Sequence, residues 1–314
     1  MFSGRIVYNP TAGQFSTTLL VEKAAAVFES NGWNIDLVVS QSGTHTEEIA
    51  LGAAQDGLKA LLVAGGDGSI RQAAAGLKGS NTALGILPAG TSNVWAQDLE
   101  MSPLSRRQPN ALQEGALALA NGRIQSMDYG VCGGDPFLLW AGIGLDGVIV
   151  DRRENKRSGR RHFTIQKYLA TAALEARTWK GMDLSLDVDG SLIEGHYQLA
   201  VINNIPSYAG GLVKISPQAC LDDGEMDLWL FSGKNAYQLA YLLLTGKHEK
   251  SKLAVRLPFR SLKISAGEPL FSQLDGDPFK YGNHLNIKVI SSDLRVLVPR
   301  NSPENFFKSP GEML

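Results

Sequence analysis

At 314 residues, 44% hydrophobic and 19% charged, the chain has the composition of a globular protein and the length of two domains, which excludes disordered and fibrous classes. A formal net charge of -1 exerts no global pull on nucleic acid, so no nucleic-acid partner is expected. Two cysteines, Cys132 and Cys220, are too few for a disulfide framework, and five scattered histidines carry no zinc spacing.

From Met1 the chain enters a short apolar run rather than a charged leader with a long apolar core, so no secretory signal is expected. Apolar runs at 5–8, 36–39, 59–63 and 84–87 alternate with helical patterns at 19–29, 46–55 and 70–77, and a further one follows at 112–119. That alternation predicts a Rossmann-like α/β domain with a parallel sheet over residues 1–125. Right-handed crossovers bring the carboxyl ends of its strands to one edge, where ligands bind.

Beyond residue 126 the pattern changes to short alternating runs with turn dipeptides. Leu184, Leu186 and Val188 alternate, Asp189-Gly190 turns, and Leu192 onward returns as a hairpin. Runs at 226–231, 260–264, 285–290 and 294–298 continue the pattern, with helices at 165–179 and 236–244. An antiparallel β-sandwich is expected over 126–300, followed by a loosely held tail at 301–314. No apolar run approaches the roughly 20 residues of a membrane-spanning helix.

Three glycine-bearing turns follow predicted strands: Asn9-Pro10-Thr11-Ala12-Gly13, Gly65-Gly66-Asp67-Gly68-Ser69 and Pro88-Ala89-Gly90-Thr91-Ser92-Asn93. All three belong to one sheet edge and lead toward helix N-termini, whose first N–H groups and dipole favour a phosphate. The hydroxyls of Thr11, Ser69 and Thr91 add donors. The competing reading is three ordinary strand-to-helix turns with capping hydroxyls. The Walker pattern Gly-x-x-x-x-Gly-Lys-[Ser/Thr] does not occur.

In order and spacing these turns resemble the diacylglycerol kinase catalytic-domain family, which includes bacterial lipid kinases and sphingosine kinases. The resemblance continues at 141–147, at 217–227 and at Leu274-Asp275-Gly276-Asp277-Pro278, and so covers nearly the whole chain. It implies a nucleotide domain joined to a β-sandwich with the active site in the cleft between them. ATP would be held by Asn9 to Gly13, Ser40, Gly65 to Arg71 (Gly65, Gly66, Asp67, Gly68, Ser69 and Arg71), Gly90, Thr91 and Asn93. Asp-Gly-Asp stands where the family has Asp-Gly-Glu, Val94 where Asp usually follows Asn93, and Arg71 where Asn is common.

Phosphoryl transfer asks for positioning, a metal and a base for the attacking hydroxyl. Asp67 would organise Mg²⁺ or orient the acceptor; its plainer reading is a helix cap. Asp275 and Asp277 read as a hairpin turn, and by resemblance the pair supplies the general base, with either member a candidate. The same resemblance gives a structural Mg²⁺ to the Asp223 carboxylate and the carbonyls of Cys220 and Glu225, and sets Asp146 near a lipid headgroup. Gly142-x-Gly144-x-x-Gly147 matches a dinucleotide fingerprint in letters but lacks the βαβ context.

The stretch Arg152 to Arg161 holds six Lys or Arg against one Glu. It reads as a solvated loop or as a contact with an anionic membrane surface. The expectation is therefore an ATP- and Mg²⁺-dependent lipid kinase, cytoplasmic and peripheral to the inner membrane face, whose partner is a membrane lipid; self-association into a homodimer is left open. Two alternatives stand beside it: a kinase for a soluble acceptor such as NAD, and a non-catalytic nucleotide or lipid sensor.

Overall fold

The computed structural model describes residues 1–10, 18–154, 165–279 and 282–314. The chain divides into two compact units, one of Met1–Asp128, Leu221–Asp223 and Ser291–Leu314, the other of Tyr129–Cys220 and Gly224–Ile290.

The first unit runs β1 (Phe2–Tyr8), α1 (Thr18–Ser30), β2 (Trp33–Val39), α2 (Gly43–Gln55), β3 (Ala60–Gly65), α3 (Asp67–Leu77), β4 (Ala83–Pro88), a short α4 (Val94–Asp98) and α5 (Ala111–Ala120). Its strands pair in parallel in the order β2-β1-β3-β4. β3 and β4 are covered on both faces, so Ala60 to Ala64 and Ala83 to Pro88 are all buried, and the sequence there is a continuous apolar run rather than an alternating one. From β1 the chain moves outward to β2 and then crosses back to β3 on the far side of β1. The carboxyl ends of β1 and β3 thus form the topological switch point at which open α/β sheets bind ligands.

β5 (Arg123–Cys132) carries the chain into the second unit. There follow β6 (Asp135–Phe137), β7 (Trp140–Gly144), α6 (Leu145–Glu154), α7 (Ile165–Glu175), β8 (Met182–Val188), β9 (Ser191–Tyr197), β10 (Leu199–Asn203), β11 (Ser207–Tyr208) and β12 (Val213–Lys214). Then come β13 (Met226–Phe231), α8 (Ala236–Leu244), β14 (Ala254–Phe259), β15 (Ser261–Ala266), β16 (Ser272–Leu274), β17 (Asp277–Phe279), β18 (His284–Val298) and β19 (Glu312–Met313). One antiparallel sheet has the order β14-β13-β10-β7-β16-β17, and β9, β8, β15 and the first part of β18 make the facing layer. Leu186, Ile202, Leu228, Phe259, Leu262 and Ile287 share the core of this sandwich. The alternation at Leu184, Leu186 and Val188 buries those three residues, and Asp189 and Gly190 turn the hairpin with φ of 48° and 89°. Positive φ at both positions matches the right-handed strand twist, which is why Asp-Gly marks such turns.

Three features depart from expectation. The runs at 285–290 and 294–298 belong to one strand, β18, whose second part lies beside β4 in the first unit (Val296 pairs with Leu84). α6 is not legible as a helix, because Leu145, Val148, Ile149 and Val150 are buried around its circumference and leave no amphipathic period. The segment 301–314 is not a loose tail. Phe306 and Phe307 are buried, β19 pairs antiparallel with β5, and the Glu312 carboxylate accepts from both Lys59 and Arg295. Two buried aromatics and a doubly engaged acid outweigh the loop-forming composition that suggests freedom.

Candidate functional site

At the switch point of the first unit lies a cleft of ≈ 180 Å³ lined by residues from the carboxyl ends of β1, β2, β3 and β4. Of the residues expected to hold nucleotide, Asn9, Ser40, Gly65, Gly66, Gly68, Ser69 and Gly90 line it, and Ser42, Gly43, Thr46 and Gln72 join them. Ser42 caps α2 by accepting from the His45 N–H (3.1 Å), and the Ser40 and Thr46 hydroxyls meet at 2.6 Å. Pro10, Asp67, Arg71, Thr91 and Asn93 are not among the lining residues. Thr11 and Gly13 lie outside the described residues.

α3 begins at the cleft with Gly66 as its N-cap and no side-chain cap hydrogen bond. Its acidic first-turn residue, Asp67, instead accepts from the Val94 N–H at 3.1 Å and more weakly from Trp95 at 3.5 Å, at the N-terminus of α4. Asn93 is fully buried at φ 51° and brackets Gly90: its Oδ1 accepts from the Gly90 N–H (3.0 Å) and its Nδ2 donates to the Gly90 carbonyl (2.8 Å). Asp67 and Asn93 therefore hold the loops in shape from behind.

The glycines divide by task. A Cβ on Gly90 would stand 2.4 Å from Gly66 Cα, so Gly90 is bare because the two loops pack backbone to backbone. A Cβ on Gly68 meets nothing within 4 Å, although Gly68 lines the cleft. Gly68→Ala is thus expected to keep or raise thermal stability, by about 0.5–1 kcal/mol from helix propensity, while weakening ATP binding by roughly 10–200-fold if phosphate occupies that space. Gly90→Ala is expected to destabilise by about 1–3 kcal/mol. Melting curves and ATP titrations of the two variants check both statements; equal ATP affinity in Gly68→Ala would take phosphate away from that loop.

In the second unit Asp275 and Gly276 form the two-residue turn between β16 and β17, with φ of 51° and 89°. The Asp275 carboxylate is buried and accepts from three successive backbone N–H groups, those of Leu138 (2.8 Å), Leu139 (2.8 Å) and Trp140 (3.1 Å), while its own N–H donates to the Trp140 carbonyl (2.9 Å). Such a carboxylate is fixed as an acceptor and closes a loop. Asp277, partly exposed, opens β17 beside it.

Asp146, in the first turn of α6, is 4% exposed. Its Oδ1 accepts from the Tyr168 hydroxyl (2.8 Å) and its Oδ2 from Gln273 Nε2 (2.7 Å), and the Tyr208 hydroxyl bonds it as well. Burial holds this carboxyl above the usual carboxylate range against the opposing pull of those donors. Burial and the neighbouring acid push both phenols well above their ordinary value, so they remain donors at neutral pH. Asp146, Tyr168 and Tyr208 face a cavity of ≈ 280 Å³ whose remaining walls are apolar except for Tyr237, among them Ile149, Leu169, Leu212, Leu239 and Leu243. Leu169, Leu212, Tyr237 and Leu244, all of which line it, are exposed. The glycines of the apparent dinucleotide fingerprint serve this packing: a Cβ on Gly142 would meet Asp146 Oδ2 at 2.0 Å, and one on Gly147 would meet the Phe271 carbonyl at 2.3 Å. β7 is antiparallel to both neighbours, so no βαβ unit surrounds them.

Asp223 Oδ2 accepts from Lys308 Nζ at 3.2 Å, and the Asp222 carboxylate caps the Lys308 and Ser309 N–H groups at 2.7 and 2.8 Å. The Glu225 carboxylate pairs with Arg260 (3.2 Å). In the basic stretch, Arg152 lies 3.7 Å from Glu175 and Arg153 sits 5.9 Å from the Tyr168 ring centre; residues 155–164 lie outside the described residues. Sequence reasoning missed Tyr208 and Gln273 and the bond that ties Tyr168 to Asp146. Only Gln273 carried a signal, as an amide inside a short apolar strand two residues before the Asp-Gly turn.

A glycine-lined cleft at the switch point of an α/β unit and an antiparallel sandwich are the two parts of the chain. Residues 3–135 match the model of the diacylglycerol kinase catalytic domain, and residues 141–298 match that of the YegS C-terminal NAD kinase beta sandwich-like domain. The chain belongs to this diacylglycerol kinase catalytic-domain family, and as a kinase of that family it draws on ATP. A diacylglycerol kinase of Bacillus subtilis (strain 168) is 24% identical over 314 residues, covering 97% of this chain and 99% of that one. One of Staphylococcus saprophyticus is 27% identical over 300 residues, covering 90% and 92%. A crystal structure of a diacylglycerol kinase from Bacillus anthracis str. Sterne superposes with a TM-score of 0.71 at 18% identity, over 94% of this chain and 96% of that one, and so shares the fold.

Proposed function

We propose that the chain transfers the γ-phosphoryl group of ATP to a hydroxyl of diacylglycerol or a related lipid at the inner membrane face. The observation that carries this reading is the apolar cavity of the second unit with Asp146, Tyr168 and Tyr208 among its polar groups. Each methylene moved from water into such walls contributes about 0.8 kcal/mol, and the buried acid with its two phenols suits a neutral hydroxyl rather than a phosphate or a nicotinamide dinucleotide. The exposed apolar side chains lining the cavity, with Arg152 and Arg153 on the preceding helix, fit a surface that meets an anionic bilayer.

In the reaction the acceptor oxygen forms a bond to the γ-phosphorus as the bond to the β–γ bridging oxygen breaks and ADP leaves; the hydroxyl proton passes to a base and then to water. Asp277 is the better base of the pair, since Asp275 is held by three N–H groups. Gly68 and the α3 N-terminus would approach the phosphates, with Asp67 and Asn93 shaping the loops. A structural Mg²⁺ would be held by Asp223, whose carboxylate already engages a cationic group, with the carbonyls of Cys220 and Glu225, and would tie that segment together through hard oxygen donors. The test is incubation of the purified chain with labelled ATP, Mg²⁺ and vesicles of anionic phospholipid containing diacylglycerol. Label is expected in phosphatidic acid. Label entering NAD instead, or ATP binding with no transfer to any lipid, would replace this reading.

A further inference from the structure

The Asp146 cluster and the Asp275–Gly276 turn are joined by one side chain. Gln273 is 0% exposed, and both ends of its amide are used: Nε2 donates to Asp146 Oδ2 at 2.7 Å, and Oε1 accepts from the Gly276 N–H at 2.6 Å. A continuous chain of hydrogen bonds therefore runs from Tyr168 on α7, through Asp146 on α6, to the turn that delivers Asp277. α6 is pressed against this strand, because Gly147 packs on the backbone of Phe271 and Ser272, and Gly142 leaves the space in which Asp146 and Gln273 meet. On its other side the turn is held by Asp275 through Leu138, Leu139 and Trp140. Asp277 thus follows a turn gripped from two directions, and the Gln273 grip leads back to the apolar cavity.

We infer that Gln273 is a positioning residue that couples the polar end of the cavity to the Asp275–Gly276 turn and so fixes the orientation of Asp277. This rests on the lipid-kinase reading for the meaning of the cavity, but the coupling itself is a property of the fold. An amide is suited to the task because it donates at one end and accepts at the other, whereas a carboxylate of the same size would oppose Asp146 and an apolar side chain would strand the Gly276 N–H.

The test is an exchange of the two groups. Gln273→Glu sets two acceptors against one another, Asp146→Asn alone keeps an acceptor toward Gln273 by turning its Oδ1 to that side and its Nδ2 to the Tyr168 hydroxyl, and the double variant restores one donor facing one acceptor, the amide now donating from α6 to a carboxylate on β16. Gln273→Glu is expected to lower kcat for the lipid by about 10- to 100-fold, the scale for a small misplacement of a reacting group, with the KM for ATP unchanged, and Asp146→Asn to lower it less. The double variant is expected to regain most of the kcat even where acceptor KM stays raised. Losses that multiply in the double variant, or that appear in ATP KM alone, overturn the proposal. Hydrogen exchange supplies a measurement independent of any acceptor: the Gly276 amide should be protected in the wild type and lose protection in Gln273→Leu while the Asp275 amide keeps it. An unprotected Gly276 amide in the wild type, or one still protected in Gln273→Leu, overturns it as well. If the wild type phosphorylates no lipid, the lipid reading falls and the exchange result still decides the coupling.

Discussion

Asp277→Asn should lower phosphoryl transfer by about 10²–10⁴-fold, the usual cost of removing a positioned general base, with the fold intact. The turn before it is held through Asp275 and Gln273, so loss of the Asp277 charge leaves those bonds in place. ATP binding, which the proposed reading gives to the loops of the first unit, should be unchanged. Steady-state kinetics with a melting curve and an ATP titration on the same preparation check this. A variant with full activity would transfer the role of base elsewhere.

Asp275→Asn should fail in a different manner. One of the two oxygens that take the Leu138, Leu139 and Trp140 N–H groups becomes an NH₂, so at least one buried donor then faces another donor. Leaving a buried donor unsatisfied costs about 1–3 kcal/mol, which lowers the melting temperature by roughly 2–4 °C per kcal/mol for a domain of this size. Transfer should fall as well, because the turn that delivers Asp277 loosens. Thermal melts of the two asparagine variants side by side separate the roles. An Asp275→Asn protein that melts like the wild type yet transfers nothing would make Asp275 the base and Asp277 the bystander.

Local chemistry is the legible part of this molecule. The strands of the first unit read from continuous apolar runs because a parallel sheet is covered on both faces, and the two Asp-Gly hairpins read from the demand for positive φ at both turn residues. The glycine loops read as a phosphate cradle, whereas Gly90 answers first to the backbone of Gly66. That contact joins residues from two strand ends, and no spacing rule announces it. The Asp146 cluster draws Tyr168, Tyr208 and Gln273 from three separate elements, each an ordinary core or strand residue in its own neighbourhood. The closing segment reads as loose because Pro, Ser and Asn content says nothing about a partner strand far away in sequence.

The bonding of Asp275 also bears on how idle members of such a family are to be recognised. A chain that had abandoned chemistry would still have to retain the first acid of the turn in order to close the loop at Leu138 to Trp140, so its presence reports folding and not turnover. With the role of base proposed for the second acid, position 277 is where a pseudoenzyme would be sought.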